Sequence, residues 1–267
     1  MSMPGELIPL GTNGYIPSFG RHTMSFLLLT GETALLLDAG SGIARLLEPG
    51  LQEVLLPYSR LNIVLTHYHL DHVIGLSYLP GVWTKPVRIF APQRPYVDTE
   101  AGEAIGRLLQ PPLFSLALDR FPMEVELFGY GKDRLEVGEL SLRCRRQEHP
   151  GGSVGMRVND DLAYITDTVV DDQSERFIRG VELLLHEVWL TDAEASAHPG
   201  GLAGHSCESD VLRLAADSGV RYLLPVHHHP KRTNEELNLF LGSLRRGKAE
   251  IILPHEGIRV ATRQGSL

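Results

Sequence analysis

The chain has 267 residues, of which 43% are hydrophobic and 22% charged, and this predicts one domain over residues 1–267 with an ample apolar core. Acidic residues outnumber basic ones by 33 to 25, so the net charge is −8. This balance excludes a chain that is basic overall, the usual electrostatic signature of a nucleic-acid-binding domain.

The sequence shows no targeting or membrane segment. No N-terminal stretch has the charged start and sustained apolar run of a signal peptide, and the apolar run Phe26–Leu29 is too short to span a membrane. The two cysteines, Cys144 and Cys207, fit a reduced compartment; a disulfide between them stays open, but nothing in the sequence calls for one. We therefore expect a cytoplasmic protein without a membrane partner.

The first half of the chain alternates short apolar strands with loops and two helices. Strands are predicted at Phe26–Leu29, Thr33–Asp38, Asn62–Thr66, Val87–Ala91 and Val125–Leu127. One helix is predicted from Asp71 to Leu79. A second covers Val97 to Leu109 and ends before Pro111 and Pro112, which cannot continue a helix.

The second half continues the alternation. Strands are predicted at Leu135–Gln147, Ser153–Val158, Leu162–Thr166, Val181–Leu185, Tyr222–Val226, Ile251–Leu253 and Ile258–Ala261. Helices are predicted over Ser206–Ala216 and from a capping box of Thr233 with Glu236 to about Leu244. Two strand-rich halves with helices outside predict an α/β fold, an αβ/βα four-layer sandwich of two mixed β-sheets flanked by helices.

The most specific motif follows the buried-type strand Ile63-Val64-Leu65, where the sequence reads T-H-Y-H-L-D-H. It places His67, His69, Asp71 and His72 at the end of a strand, and side chains two residues apart in an extended chain point the same way. Imidazole and carboxylate groups are the ligands that zinc and its neighbours take in proteins. So dense a group fits ordinary surface histidines poorly, and it predicts a metal site.

Three further potential ligands come later in the chain. Asp167 and His227 each end an apolar run, and His149 follows a weaker candidate strand. Side chains at strand ends are positioned by the sheet, which is typical of functional sites. Two metal ions close together need additional histidines and favour a shared carboxylate, because a bridging anion offsets the repulsion between the cations.

On these residues the chain resembles the metallo-β-lactamase superfamily, whose hallmark His-x-His-x-Asp-His is matched by His67 to His72. The resemblance covers most of the chain and implies a metallo-β-lactamase-like hydrolase domain with two divalent metal ions, zinc first, with manganese or iron as alternatives. The implied ligands are His67, His69 and His149 for one ion, Asp71, His72 and His227 for the other, and Asp167 for both. Asp38, which also ends a strand, would orient ligands through hydrogen bonds without binding metal.

A narrower resemblance is to the branch of tRNA 3′-processing endonucleases and phosphodiesterases. It is carried by the opening segment G-T-N-G-Y-I-P-S-F-G-R-H-T-M-S at residues 11–25, by Ser153–Val158, by His186-Glu187 and by Gly204-His205-Ser206. It implies that Glu187 orients His205. Two adjacent ions would generate a hydroxide nucleophile, and we then expect His205 to donate a proton to the leaving oxygen or stabilise its charge, while Asp71 accepts a proton from the nucleophile. One departure is Val188-Trp189, where the branch often has Ala-Thr.

A second departure decides the predicted substrate. Endonucleases of that branch usually carry a long arm for tRNA between the equivalents of His149 and Asp167, and this interval is too short for one. Together with the net charge, this favours a small cyclic or linear nucleotide-type phosphodiester over nucleic acid. A tRNA 3′-processing-type endoribonuclease, a lactonase or thioesterase, and a binding protein that kept only the fold stay open, as does a homodimer.

Overall fold

Two β-sheets face each other across an apolar core in the computed structural model, which describes residues 5–197, 204–262 and 265–266. In each sheet the strands lie side by side in chain order. Phe26 of the first sheet and Tyr164 of the second meet in the core with ring centroids 5.5 Å apart.

The first sheet holds strands β1–β6. They are Glu6–Gly11, Ser25–Thr30, Thr33–Leu37, Leu61–Val64, Val87–Pro92 and Val125–Tyr130. β1 to β3 are antiparallel, and β3 to β6 are parallel. β2, β3 and β4 are buried along their whole length, which explains their nearly continuous apolar sequences.

The second sheet holds strands β7–β13. They are Arg134–Val137, Leu140–Gln147, Ser153–Val158, Leu162–Ile165, Leu183–Glu187, Tyr222–Val226 and Glu250–Ile251. β7 to β10 are antiparallel, and β10 to β13 are parallel, so β8, β10, β11 and β12 all end at the same edge. The short strands β14 (Ala261–Thr262) and β15 (Gly265–Ser266) pair with each other.

Helices cover the outer faces of both sheets. α1 to α8 are Pro49–Leu55, Leu70–Val73, Leu79–Val82, Ala101–Leu108, Ser174–Ile178, Asp192–Ala197, Glu208–Asp217 and Asn234–Ser243. α1 to α4 pack on the first sheet, and α5, α7 and α8 pack on the second. This confirms the predicted αβ/βα sandwich. Within the described residues, no helix combines the length and the apolar character needed to cross a membrane.

The two ends of the chain depart from the predicted strands. β1 was not predicted, because Pro9 interrupts its apolar run and the strand pairing shifts register between Pro9 and Gly11. The predicted strand Ile258–Ala261 is wrong except at Ala261. Its backbone instead bonds irregularly to β1, with the Gly257 and Val260 amides donating to the carbonyls of Pro9 and Leu7.

The predicted helix from Asp71 to Leu79 is also interrupted. α2 ends at Val73 and a 3₁₀ turn, Ile74–Tyr78, follows it. Gly75 explains the break, because its amide donates to the carbonyl of Ala39 at 2.8 Å and a Cβ on it would lie 2.2 Å from the Gly40 carbonyl oxygen. This contact presses α2 against the end of β3 and fixes the segment that carries Asp71.

The capping box of α8 can be tested directly. The Thr233 hydroxyl accepts from the Glu236 amide at 3.2 Å, and the Glu236 carboxylate accepts from the Thr233 amide at 2.8 Å. We expect Thr233→Ala to lower the free energy of unfolding in urea by about 1 kcal/mol, because a first-turn amide loses its acceptor. Thr233→Ser keeps the hydroxyl and should stay near the wild type. Equal stability of all three proteins would contradict the cap.

Candidate metal centre

The predicted ligands gather where strands of both sheets end. Those of the first sheet follow β4 and lie on or beside α2, and those of the second follow β8, β10 and β12. The side chains placed in this way are His67, His69, Asp71, His72, His149, Asp167 and His227. Strand ends at one edge of a sheet are where α/β proteins build their sites.

Three residues at this edge have a left-handed backbone. Asp38 follows β3 with φ 59°, Asp167 lies just beyond β10 with φ 52°, and His227 follows β12 with φ 54°. Such a conformation costs a non-glycine residue about 1–3 kcal/mol, and it persists only where the surrounding structure enforces it. Its recurrence at three strand ends indicates a functional site.

The first donor cluster contains His67, His69, His149 and Asp167, whose ligand atoms all lie within 4.8 Å of one another. Nε2 of His149 is 3.1 Å from Nδ1 of His69 and 3.5 Å from Oδ1 of Asp167. Nε2 of His67 is 3.8 Å from the same oxygen. Three imidazoles and a carboxylate form a donor set that suits zinc.

The second donor cluster contains Asp71, His72 and His227, also within 4.8 Å of one another. Nε2 of His227 is 3.2 Å from Oδ2 of Asp71 and 3.4 Å from Oδ1 of Asp167. Nε2 of His72 is 3.1 Å from Oδ2 of Asp167. The carboxylate of Asp167 is therefore in contact with both clusters.

Burial and charge oppose each other in this site. Burial would raise the pKa of Asp167, but the surrounding histidines, led by His227 and His72, hold it well below its usual range. Burial lowers the pKa of His67, and the neighbouring His72 lowers it further. Burial would also lower the pKa of His227, but nearby carboxylates, Asp167 first among them, raise it to about 10. The centre therefore favours positive charge, which protons or divalent cations can supply.

The histidine nitrogens fit metal binding. Nε2 of His67 and Nε2 of His72 are buried and form no well-aligned hydrogen bond with the described residues. Their Nδ1 atoms are occupied, by the Thr66 hydroxyl at 3.0 Å and by Asp38 at 2.8 Å. A metal-binding imidazole typically uses one nitrogen for the metal while a partner holds the other. Each ring thus presents its free nitrogen to the donor cluster.

Asp38 contacts both sheets and the ring of His72, one of the predicted ligands. Its buried carboxylate accepts from the Thr66 amide at 2.7 Å and from the Tyr164 hydroxyl at 2.8 Å, and it lies 2.8 Å from Nδ1 of His72. Thr66 follows β4 of the first sheet and Tyr164 lies in β10 of the second. The carboxylate therefore links both sheets to a ligand ring.

The opening loop supplies contacts that the sequence pattern did not predict. The backbone amide of Tyr15 donates to Oδ2 of Asp71 at 2.7 Å. Gly14 lies so close to His227 that a Cβ on it would be 2.4 Å from Cε1 of the ring. An amide donor leaves no mark in the side-chain sequence, so the only available signal was the glycine within the family-like opening segment.

Glu187 and His205 form a pair beside the second cluster. Glu187 ends β11, and its Oε2 lies 2.8 Å from Nδ1 of His205. Burial would raise the pKa of Glu187, but the neighbouring His205 lowers it. A ring nitrogen of His205 also lies within 4.8 Å of ligand atoms of Asp167 and His227. The predicted pair is thus in place, close enough to the ligands to act on a group bound there.

Comparison with known proteins places this site in a family. Residues 33–228 match the family described as "Beta-lactamase superfamily domain". A ribonuclease Z from Bradyrhizobium sp. (strain ORS 278) is 42% identical over 290 residues, covering 87% of this chain and 92% of that protein.

Solved structures share the fold. The metallo-beta-lactamase fold protein YhfI from Bacillus subtilis has a TM-score of 0.73 at 19% identity, covering 96% of this chain and 98% of that one. A diphosphatase from the PhnP family has a TM-score of 0.67 at 17% identity, covering 98% and 100%. The predicted fold and the predicted hydrolase class are confirmed. The chain belongs to the β-lactamase superfamily.

Proposed function

We propose that this chain is a dinuclear metal-dependent phosphodiesterase that hydrolyses a small cyclic or linear nucleotide-type phosphodiester. The observation that carries the proposal is the position of Oδ1 of Asp167, 3.5 Å from Nε2 of His149 and 3.4 Å from Nε2 of His227. One oxygen reaches both donor clusters. A shared anion of this kind offsets the repulsion between two cations held close together.

The ligand assignment follows the two clusters. One ion would be held by His67, His69 and His149, the other by Asp71, His72 and His227, with Asp167 shared. Imidazole-rich sets suit zinc best, and manganese or iron are the alternatives.

Bound divalent ions would supply a hydroxide nucleophile at neutral pH and neutralise charge on the phosphate oxygens. The chain's own groups complete the reaction. His205 donates a proton to the leaving oxygen, and Glu187, 2.8 Å from its Nδ1, keeps the ring oriented. Asp71 takes up the proton that the nucleophile releases.

Two features support a small substrate. β9, β10 and the turn between them take up the interval from His149 to Asp167, so no arm extends from it. The sequence has two short basic clusters, Arg143 with Arg145 and Arg146, and Arg245 with Arg246 and Lys248. One arginine of each has an acidic partner, since Arg145 lies 2.7 Å from Asp171 and Arg246 lies 3.2 Å from Glu208. Phosphate-backbone binding relies on cations that are available to the nucleic acid.

RNA processing is the second candidate, because several relatives bear the name ribonuclease Z. A protein of similar fold is described as a diphosphatase from the PhnP family, and this supports phosphate hydrolysis on this architecture. A lactonase or thioesterase has less support, because acyl hydrolysis has no evident need for the pair of Glu187 and His205.

Substrate panels separate these classes. We expect the zinc- or manganese-loaded protein to hydrolyse bis-p-nitrophenyl phosphate and at least one cyclic or linear nucleotide diester. It should turn over a chromogenic lactone, a thioester and a tRNA precursor with a 3′ trailer far more slowly. Preferred cleavage of the tRNA precursor would establish the second candidate, and preferred acyl hydrolysis would contradict both.

Metal analysis tests the ligand assignment. We expect two ions per chain after reconstitution with zinc. Asp167→Ala should lose the most metal because both clusters share this carboxylate, whereas Asp38→Ala should weaken affinity by roughly 10- to 100-fold through the orientation of its partners. Asp172→Ala, which removes an exposed carboxylate, is the matched control. Equal metal loss in the variants of Asp167 and Asp38 would contradict the assignment.

The acid role of His205 predicts a dependence on the leaving group. His205→Ala should keep two metal ions, yet lower kcat by roughly 10²- to 10⁴-fold for a phosphodiester with a poor leaving group. The loss should be smaller for p-nitrophenolate, which needs little protonation. Glu187→Gln should show the same bias more weakly.

Two results would reject this role. If His205→Ala loses metal, His205 is a ligand, and the assignment of His227 must be reconsidered. If the loss is the same for both leaving groups, His205 positions the substrate and donates no proton.

A further inference from the structure

Trp189 is a half-buried residue just beyond Glu187 and the end of β11. Its backbone is fixed at two points. The Trp189 amide donates to the carbonyl of Ser206 at 3.1 Å, and the Trp189 carbonyl accepts from Arg232 at 2.8 Å. The first bond ties Trp189 to the residue that follows His205.

The indole ring lies against the histidines on this side of the site. It stacks on His205 with ring centroids 4.7 Å apart and an interplanar angle of 19°. It also lies 5.0 Å from His227 at 35° and 4.7 Å from His229 at 50°. Of the three contacts, the one to His205 is the most nearly parallel.

One hydrogen bond cannot fix the plane of an imidazole. The bond between Glu187 and Nδ1 of His205 holds one edge of the ring but leaves it free to tilt about that bond. Because the indole face covers one side of the ring, tilting would break the stack. The His205 ring also stacks on His227, with centroids 5.3 Å apart at 24°. The hydrogen bond to Glu187 and the two stacked rings together set the plane of the His205 ring, and therefore the direction of its second nitrogen.

We propose that Trp189 is a positioning residue that holds the plane of the His205 ring, so that its free nitrogen faces the leaving oxygen of the substrate. This inference rests on the proposed phosphodiesterase function. Stacked aromatic pairs contribute modestly, so loss of the ring should reduce activity without abolishing it.

Two substitutions separate stacking from simple bulk. Trp189→Leu keeps an apolar side chain but removes the flat face, and we expect kcat for a poor leaving group to fall about 3- to 10-fold. KM and the two bound metal ions should not change, and p-nitrophenolate diesters should be affected less. Trp189→Phe keeps an aromatic ring at this position and should retain most of the activity that Trp189→Leu loses.

Fluorescence tests the contact without any turnover. Trp83 is the other of the two tryptophans, so Trp83→Phe leaves Trp189 as the sole tryptophan, whose emission can be excited selectively. Indole emission depends on the groups that contact the ring, so adding His205→Ala in this background should change its intensity or wavelength. His255→Ala, which removes an exposed histidine, is the matched control and should leave the emission unchanged.

Each contrary outcome has a distinct meaning. Unchanged emission on removal of His205 would refute the stack. Metal loss in Trp189→Leu would show that Trp189 supports His227 instead, and equal activity of the Leu and Phe variants would show that only bulk matters. If the wild type hydrolyses no phosphodiester, the proposed function fails together with this role, while the fluorescence comparison still reports separately on the contact.

Discussion

The carboxylate of Asp167 is the constraint on which the centre depends. It is 2% exposed and lies within 3.8 Å of ring nitrogens from His67, His72, His149 and His227. A buried carboxylate is costly unless positive charge lies next to it. Neutral imidazoles do not meet that need, whereas protonated rings or bound cations do. Bound cations would therefore offset the cost of burying this carboxylate and also supply the proposed chemistry.

The fold meets this constraint by bringing together strand ends of two sheets. Asp38 shows how, because its single carboxylate bonds to Thr66 of one half, Tyr164 of the other and the ring of His72. The opening loop adds two contacts to this site. The Tyr15 amide donates to Asp71, and Gly14 packs closely against His227. Ligands held from several directions are preorganised for the ions they are proposed to bind.

Much of this arrangement was predictable from the sequence because it depends on the identity and spacing of side chains. An apolar run that stops at a carboxylate or histidine marked Asp38, Asp167 and His227, and the capping box marked the start of α8. What could not be predicted depends on backbone groups and long-range packing. Pro9 interrupts the apolar pattern by which β1 could have been predicted. Gly75 ends a predicted helix through its backbone contact with another loop. The stack of Trp189 on His205 depends on where two loops meet in the folded chain.

The central claim is that Asp167 lies between two metal ions. A crystal structure of the zinc-reconstituted protein, with anomalous data on either side of the zinc absorption edge, tests it most directly. Two anomalous peaks are predicted, one among His67, His69 and His149, the other among Asp71, His72 and His227, with the Asp167 carboxylate in contact with both. A single peak, or two peaks of which only one contacts Asp167, would contradict the account.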